Sequence, residues 1–330
     1  MKDTPVAVTG ATGHVGGSLV RALVAAGARV RALVRDDARA LAGLPVEAVR
    51  GDVLAPETLP ALLAGAEVVF HLAGVISLSG DPGGRVVRTN VEGTRHVAVA
   101  ARAAGARRLV HVSSVHAYTG RPLDLPVDES RPLADEEPRP VPYDRSKAAG
   151  QRLALGAAGG ALEAVSLNPV AILGPPDFRG SRTGRLLASL AAGRMPALTE
   201  GGFSWVDVRD VAGALVAAAT RGRSGEAYLL PGHWRSMAEL AALVHAAGGA
   251  RPPRLVTPWW LARAGAPLVE AWSRVAGSEP LYTAESMDTV RKHRVVLGDK
   301  AARELGWAPR PIEETVRDTL AWIRAHAEWA

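Results

Sequence analysis

The chain contains no cysteine. Disulfides, thiolate metal ligands and cysteine nucleophiles are therefore excluded. Lysine is scarce: only Lys2, Lys147, Lys292 and Lys300 among 39 basic residues. No apolar run approaches the ~20 residues of a membrane span. The opening Met1-Lys2-Asp3-Thr4-Pro5 leads straight into a strand-like segment and leaves no room for a signal peptide, so a cytoplasmic protein is expected. Histidines nowhere show a His-Glu-x-x-His spacing, and no metal is expected. No Gly-x-Ser-x-Gly elbow is present, which removes the common hydrolase reading. Net charge is +6. The basic residues are scattered, with Arg107-Arg108 and 291–294 the densest groups, and they lack the clustering that nucleic-acid binding requires.

What is present is an alternation. Short apolar runs at 6–9, 30–34, 46–50, 68–72 and 109–113 are separated by helical patterns at 18–26, 57–63 and 91–104. A helix at 142–155 and a strand at 164–167 follow. Such alternation predicts an α/β fold with a doubly wound parallel sheet covered on both faces, and buried parallel strands read as continuous apolar runs, as these do. After Pro169 the pattern changes. Residues 174–202 read as loop with one helix at 184–192, 211–220 as a helix, and 227–230 as a strand that could rejoin the sheet. From Pro231 only helices and loops are expected. With 330 residues, two units are expected at ~100–200 residues each. The sheet domain is assigned 1–170 plus 203–231, and a smaller, mostly helical lobe 171–202 plus 232–330. Ligands in such folds lie beyond the carboxyl ends of the strands.

Gly10-Ala11-Thr12-Gly13-His14-Val15-Gly16 directly follows the first strand and opens a helix. In that setting the first Gly permits the tight turn, the second lets the backbone approach a pyrophosphate, and the third lets helix and strand pack closely. The helix N-terminus then holds phosphate through free N–H groups. Tyr143 and Lys147 stand four apart on a predicted helix, hence on one face. An ammonium beside a phenol favours phenolate, so the pair is expected to lower the Tyr pKa from ~10 and to move a proton near neutral pH. Ser113 and Ser114 close a strand upstream and offer a hydroxyl for a substrate carbonyl. Val34 and Arg35 end the second strand, where NAD enzymes carry an acid and where an Arg instead suits a 2′-phosphate. NADP is therefore expected, with NAD as the alternative. Asp36 and Asp37 follow and can cap the next helix.

Residues 9–16, Gly51-Asp52-Val53, His71-Leu72-Ala73-Gly74, Asn90-Val91-Glu92-Gly93-Thr94, Ser113-Ser114, Tyr143-x-x-x-Lys147 and Asn168-Pro169 occur in the order seen in extended short-chain dehydrogenases/reductases. The chain resembles this superfamily over nearly its whole length, and most closely its dihydroflavonol-reductase-like branch in the epimerase/dehydratase family. The resemblance implies a Rossmann domain and a Ser-Tyr-Lys triad. Ser114 is preferred, because its spacing to Tyr118 resembles the Ser-x-x-x-Tyr segment of sugar epimerases; Ser113 is the fallback. It further implies cofactor contacts from Gly10, Thr12, Gly13, His14, Val15, Gly16, Arg35, Asp52, Val53, Leu72, Ala73, Gly74, Asn90, Tyr143, Lys147, Pro169, Val170 and Ile172. Asn90 resembles a family Asn that supports the catalytic region, and a helix N-cap reads equally well. His14 departs from the family's usual Phe, which leaves backbone phosphate contacts intact.

Nucleotide-sugar enzymes of the superfamily usually carry an Arg where this chain has Phe203, ahead of Asp207 and Asp210. That departure points to a less polar substrate, and Asp210 reads as the cap of the following helix. Trp260, Ala264, Leu268 and Trp272 recur at helical spacing, as a core stripe, an apolar substrate wall or a membrane-skimming surface. Residues 299–307 resemble the family's closing segment. His71 and His111 read as core histidines, while His116 could face substrate. The resulting expectation is an NADPH-dependent reductase of a ketone or aldehyde on a small, rather apolar metabolite, acting as monomer or homodimer. The alternative is a sugar or nucleotide-sugar epimerase or dehydratase using the same triad. A non-catalytic NADP sensor fits poorly with a complete triad.

Overall fold

The computed structural model describes residues 1–77, 80–137, 141–275 and 284–326; for 82, 268–275 and 284–286 only the backbone is described. Among the described residues, twelve strands run in chain order: β1 Pro5–Thr9, β2 Arg29–Val34, β3 Val46–Arg50, β4 Val68–His71, β5 Arg108–Val112, β6 Glu163–Pro169, β7 Ala171–Leu173, β8 Leu198–Thr199, β9 Gly202–Asp207, β10 Ala227–Leu230, β11 His233–Ser236 and β12 Val256–Thr257. Seven form one parallel sheet in the order β10-β6-β5-β4-β1-β2-β3. The chain starts at β1, winds outward to β3, then returns to β4 on the other side. The order therefore reverses between β1 and β4, and a crevice opens above their carboxyl ends.

The expected doubly wound α/β fold is present. Val68, Val69 and Phe70 of β4 are fully buried, as a strand covered on both faces must be. One face packs Leu19 and Leu23 of the helix His14–Ala25 together with Val211 and Leu215 of the helix Val208–Arg221. The other packs Leu59, Leu62, Val97 and Ala101. A separate, smaller core gathers Leu187, Trp205, Leu240 and Val316. β10 rejoins the main sheet beside β6, in parallel register from Ala227↔Ser166 to Leu230↔Pro169. Lys300 Nζ donates to the Ala227 carbonyl at 2.8 Å and Trp307 Nε1 to Pro231 at 3.0 Å, so residues 299–307 brace this strand.

Several expectations need correction. The region after Pro231 is not only helix and loop: β11 pairs antiparallel with β9, and β12 pairs with β8. His-Trp-Arg-Ser in β11 has no apolar alternation, and β12 is two residues long, so neither carries a strand pattern in sequence. Asp210 does not cap the helix Val208–Arg221. The cap is Asp207, whose Oδ1 accepts from Arg209 N at 2.8 Å, while Asp210 pairs with Arg310 at 2.8 Å. Trp260 is not a core residue, being 64% exposed. It stands in the helix Trp259–Val275; the side chains of Leu268 and Trp272 lie outside the described residues.

Candidate active site

The Gly-rich turn is built for close approach. Gly10 has φ +68°, and a Cβ there would lie 2.6 Å from Ala73 N and from Leu72 C. A Cβ on Gly16 would lie 2.0 Å from the Gly10 carbonyl oxygen. The turn is thereby pressed against both its own helix and the end of β4. Gly13 differs: a Cβ on it would meet only the Gly10 oxygen, at 3.3 Å, so its outer side is open. Gly13 is also the N-cap of the helix His14–Ala25, and no side chain caps it. Open space above uncapped N–H groups fits a pyrophosphate.

The cradle continues along the sheet edge. Gly74 is exposed, and a Cβ on it would stand 3.2 Å from Asn90 Oδ1 and 4.0 Å from Lys147 Nζ. Asn90 is not a helix cap. It sits inside the π-turn Arg88–Glu92 and fastens the 73–75 segment to the helix Pro142–Gly156. Its Oδ1 accepts from Val75 N at 2.7 Å, and its Nδ2 donates to Val75 O and to Ser146 Oγ, each at 2.9 Å.

Tyr143 and Lys147 lie one turn apart on the helix Pro142–Gly156, as their spacing requires. Lys147 Nζ donates to the Val112 carbonyl at 3.0 Å, and burial lowers its pKa to about 8. The expected acidification of the phenol is not found. Burial drives Tyr143 well above the usual phenol value, the Ser114 hydroxyl opposes this, and the Asp144 carboxylate adds to it. Desolvation of the phenolate sets the direction, while the Lys147 ammonium spends a hydrogen bond on the end of β5. Tyr143 is consequently a protonated phenol at neutral pH.

Ser114 follows β5 and opens the turn Val115–Ala117. Its Oγ accepts from His116 N at 3.2 Å, and its carbonyl accepts from Asn168 Nδ2 at 2.8 Å. Ser113 Oγ is buried without a hydrogen-bond partner, and the phenol's interaction is with Ser114. His71 and His111 are core residues, as expected. His71 bridges Thr9 Oγ1 at 2.7 Å and Thr94 Oγ1 at 2.9 Å; His111 bonds Ser166 Oγ at 3.1 Å. Burial depresses both imidazoles far below their usual value.

His116 stands elsewhere. Its ring is edge-on to Tyr143 at 5.5 Å and to His293 at 5.4 Å. Its Nδ1 lies 3.0 Å from Asp144 Oδ1, and Lys292 Nζ lies 3.2 Å from Asp144 Oδ2. Burial pushes the Asp144 carboxyl up, but His116 and Lys292 together hold it at about 2. Asp144, Lys292 and His293 were not singled out from sequence. The one available signal was Lys292, one of four lysines in an arginine-rich chain.

At the end of β2, Arg35 is exposed with Nη1 3.5 Å from Asp52 Oδ2. Asp37 does not cap a helix by itself; it accepts from Arg39 N at 3.0 Å and grips the Arg39 guanidinium. Thr12 Oγ1 accepts from Arg179 at 3.3 Å, and His14 Nε2 donates to the Gly174 carbonyl at 2.7 Å. Val15 and Leu72 are half-buried against the core that holds Leu19 and Val211, whereas the Val53 side chain packs on the opposite face of the sheet with Leu59 and Val97. Pro169 and Val170 are buried at the end of β6, and Ile172 is half-buried in β7. Phe203 points its ring edge-on to Trp205 at 5.3 Å and packs on the smaller core. The arginine opposite it, Arg235, turns to Glu313 at 3.5 Å.

Among the described residues no group of three or more His, Asp or Glu could hold a metal, and no helix is long and apolar enough to cross a membrane. The sequence matches the model of the NAD dependent epimerase/dehydratase family over residues 6–230. It is 34% identical over 321 residues to sterol demethylase protein B of Methylococcus capsulatus, covering 96% of this chain and 97% of that one. It is 33% identical to a putative dihydroflavonol 4-reductase of Synechocystis, covering 97% and 94%. The crystal structure of gox2253 superposes with a TM-score of 0.85 at 34% identity and covers both chains completely. The chain therefore belongs to the NAD-dependent epimerase/dehydratase family and is an NAD(P)-dependent oxidoreductase.

Proposed function

We propose that the protein is an NADPH-dependent carbonyl reductase acting on a ketone or aldehyde of a small, rather apolar metabolite. The observation that carries this reading is the placement of the buried Tyr143 side chain beside Ser114 and one helical turn from Lys147, at the carboxyl edge of the sheet. A reduction consumes a proton at the carbonyl oxygen, and a protonated phenol is the state that can give it. The relative in Synechocystis is named a reductase, which supports the same direction. Phe203 supports an apolar substrate, because an aromatic ring packed on the smaller core offers no charge to a diphosphate.

The Gly-rich turn and Gly74 fit a dinucleotide, whose reduced nicotinamide supplies a hydride when bound. The remaining roles belong to the chain. Ser114 Oγ holds the carbonyl oxygen. Tyr143 Oη delivers the proton to it. Lys147, still charged at neutral pH with a pKa near 8, stabilises the phenolate left behind and binds the ribose hydroxyls. Asn90 is a positioning residue that fixes the 73–75 floor. Arg35 takes the 2′-phosphate through its planar guanidinium.

Mass spectrometry of the purified protein, followed by absorbance of the reduced nicotinamide, tests the reading. The expected result is protein largely free of cofactor that consumes NADPH with apolar or aromatic ketones and ignores UDP- and GDP-sugars. Tightly retained cofactor with sugar isomerisation and no absorbance change overturns it in favour of an epimerase.

A further inference from the structure

The segment after β7 runs back over the phosphate-binding turn and is fixed there at several points. Gly174 accepts from His14 Nε2 at 2.7 Å. The Phe178 ring carries the Arg21 guanidinium at 4.8 Å, and Arg21 is itself bound to the Gly17 and Ala40 carbonyls at 2.9 and 2.7 Å. Asp177 Oδ2 accepts from Ser181 N at 2.6 Å, which turns the chain into the helix Arg182–Ala191. Between these anchors Arg179 reaches the Gly-rich turn and the segment after β2. Its Nη2 lies 3.3 Å from Thr12 Oγ1 and 4.0 Å from Asp37 Oδ2. Thr12 belongs to the Gly-rich turn and Asp37 follows β2. The guanidinium thus stands between the two elements that flank the adenosine ribose in this fold.

The local charges say what it can do there. Arg35 already faces Asp52, and Arg39 already grips Asp37 with Nε at 3.2 Å and Nη2 at 2.9 Å. Asp36 stands exposed beside them. A 2′-phosphate brings nearly two negative charges and three acceptor oxygens into this group. Two guanidiniums that each face a carboxylate offset it poorly. Arg179 makes only a 4.0 Å approach to Asp37 and remains 42% exposed, so it can turn to a stronger anion at little cost.

We propose that Arg179 is a second ligand for the cofactor's 2′-phosphate, reaching it from the segment between β7 and the helix Arg182–Ala191, with Arg35 as the first. The proposal rests on the NADP reading above. Asp37 serves as the partner of Arg179 until the phosphate displaces it. His14, which replaces the family's usual Phe, then has a use: its bond to Gly174 ties the segment that carries Arg179 to the phosphate-binding turn. Discrimination between NADPH and NADH becomes a property of two distant stretches of chain, 35 and 179, and not of the end of β2 alone.

Isothermal titration of NADPH, NADH and 2′,5′-ADP against the parent protein, Arg35→Ala, Arg179→Ala and Arg179→Lys tests this. Arg179→Ala should weaken NADPH and 2′,5′-ADP by about tenfold or more and NADH by less than about twofold, the loss of a charge-assisted contact. Arg179→Lys should recover part of the loss, because it keeps the charge but not the fork. Unchanged NADPH affinity in Arg179→Ala, with a large loss in Arg35→Ala, overturns the role of Arg179 and leaves the NADP reading standing. Equal losses for NADPH and NADH also overturn it. A parent protein that binds NADH more tightly than NADPH overturns the NADP reading itself.

Discussion

Asp144 is held from both sides: His116 Nδ1 is 3.0 Å from one carboxylate oxygen and Lys292 Nζ is 3.2 Å from the other. The next residue in the chain from Asp144 is not what it serves; its neighbours come from 28 and 148 positions away. It ties the turn after Ser114 to the helix Pro142–Gly156 and to Lys292 in the C-terminal region. Asp144→Ala leaves a nearly buried ammonium without its partner, and should destabilise the fold by about 3–5 kcal/mol. Lys292→Met combined with Asp144→Asn should recover most of that. Urea denaturation of the parent and the two variants checks it; a loss below ~1 kcal/mol in Asp144→Ala refutes the buried-pair account.

Lys147 makes stability depend on pH in a defined sense. Its folded pKa of about 8 lies below the ordinary 10.5, so between these values the unfolded chain binds more protons than the folded one. Stability should therefore rise as pH increases from about 8 to 10.5, by about 3 kcal/mol from this group. Lys147→Met should remove that rise and be more stable than the parent below pH 8. The same titration neutralises the ammonium, so turnover should fall through the same pH range while stability climbs. Paired denaturation and rate profiles separate the two effects.

The glycines of the turn should divide into two classes. Gly16→Ala places a methyl 2.0 Å from the Gly10 carbonyl oxygen and should fail to fold stably. Gly13→Ala meets the same oxygen at 3.3 Å and should fold with a nearly unchanged melting temperature. Its methyl occupies the open side of the turn, so NADPH affinity should drop by at least about tenfold, since phosphate contact there is made by backbone. Thermal melts beside titration of NADPH distinguish the classes.

Much of this is legible in the sequence. The Gly-rich turn, Tyr143 and Lys147 were legible because their chemistry depends on spacing within one turn of chain. β10 was legible as a strand because Ala-Tyr-Leu-Leu is a continuous apolar run. The cluster of His116, Asp144, Lys292 and His293 was not, because those residues meet only through the fold. Asn90 carried two readings, and only the bonds to Val75 and Ser146 decide between them. The direction of the Tyr143 shift is not legible in the sequence: spacing places an ammonium one turn away but says nothing of burial, which sets the direction.

Tyr143→Phe should retain cofactor affinity within about twofold and lose turnover by ~10²–10⁴-fold, because the phenol acts on the carbonyl oxygen. Lys147→Ala should impair both. Titration of NADPH and steady-state rates on the best ketone of a panel check the pair. Turnover above a few per cent in Tyr143→Phe contradicts the proton-donor role.

The most direct test of net carbonyl reduction uses NADPH carrying deuterium at nicotinamide C4, with an apolar ketone as acceptor. The account predicts one equivalent of oxidised cofactor per alcohol formed and the label on the carbinol carbon, found by mass spectrometry of the product. Label that stays in the cofactor, while a sugar substrate is isomerised without net oxidation, contradicts it.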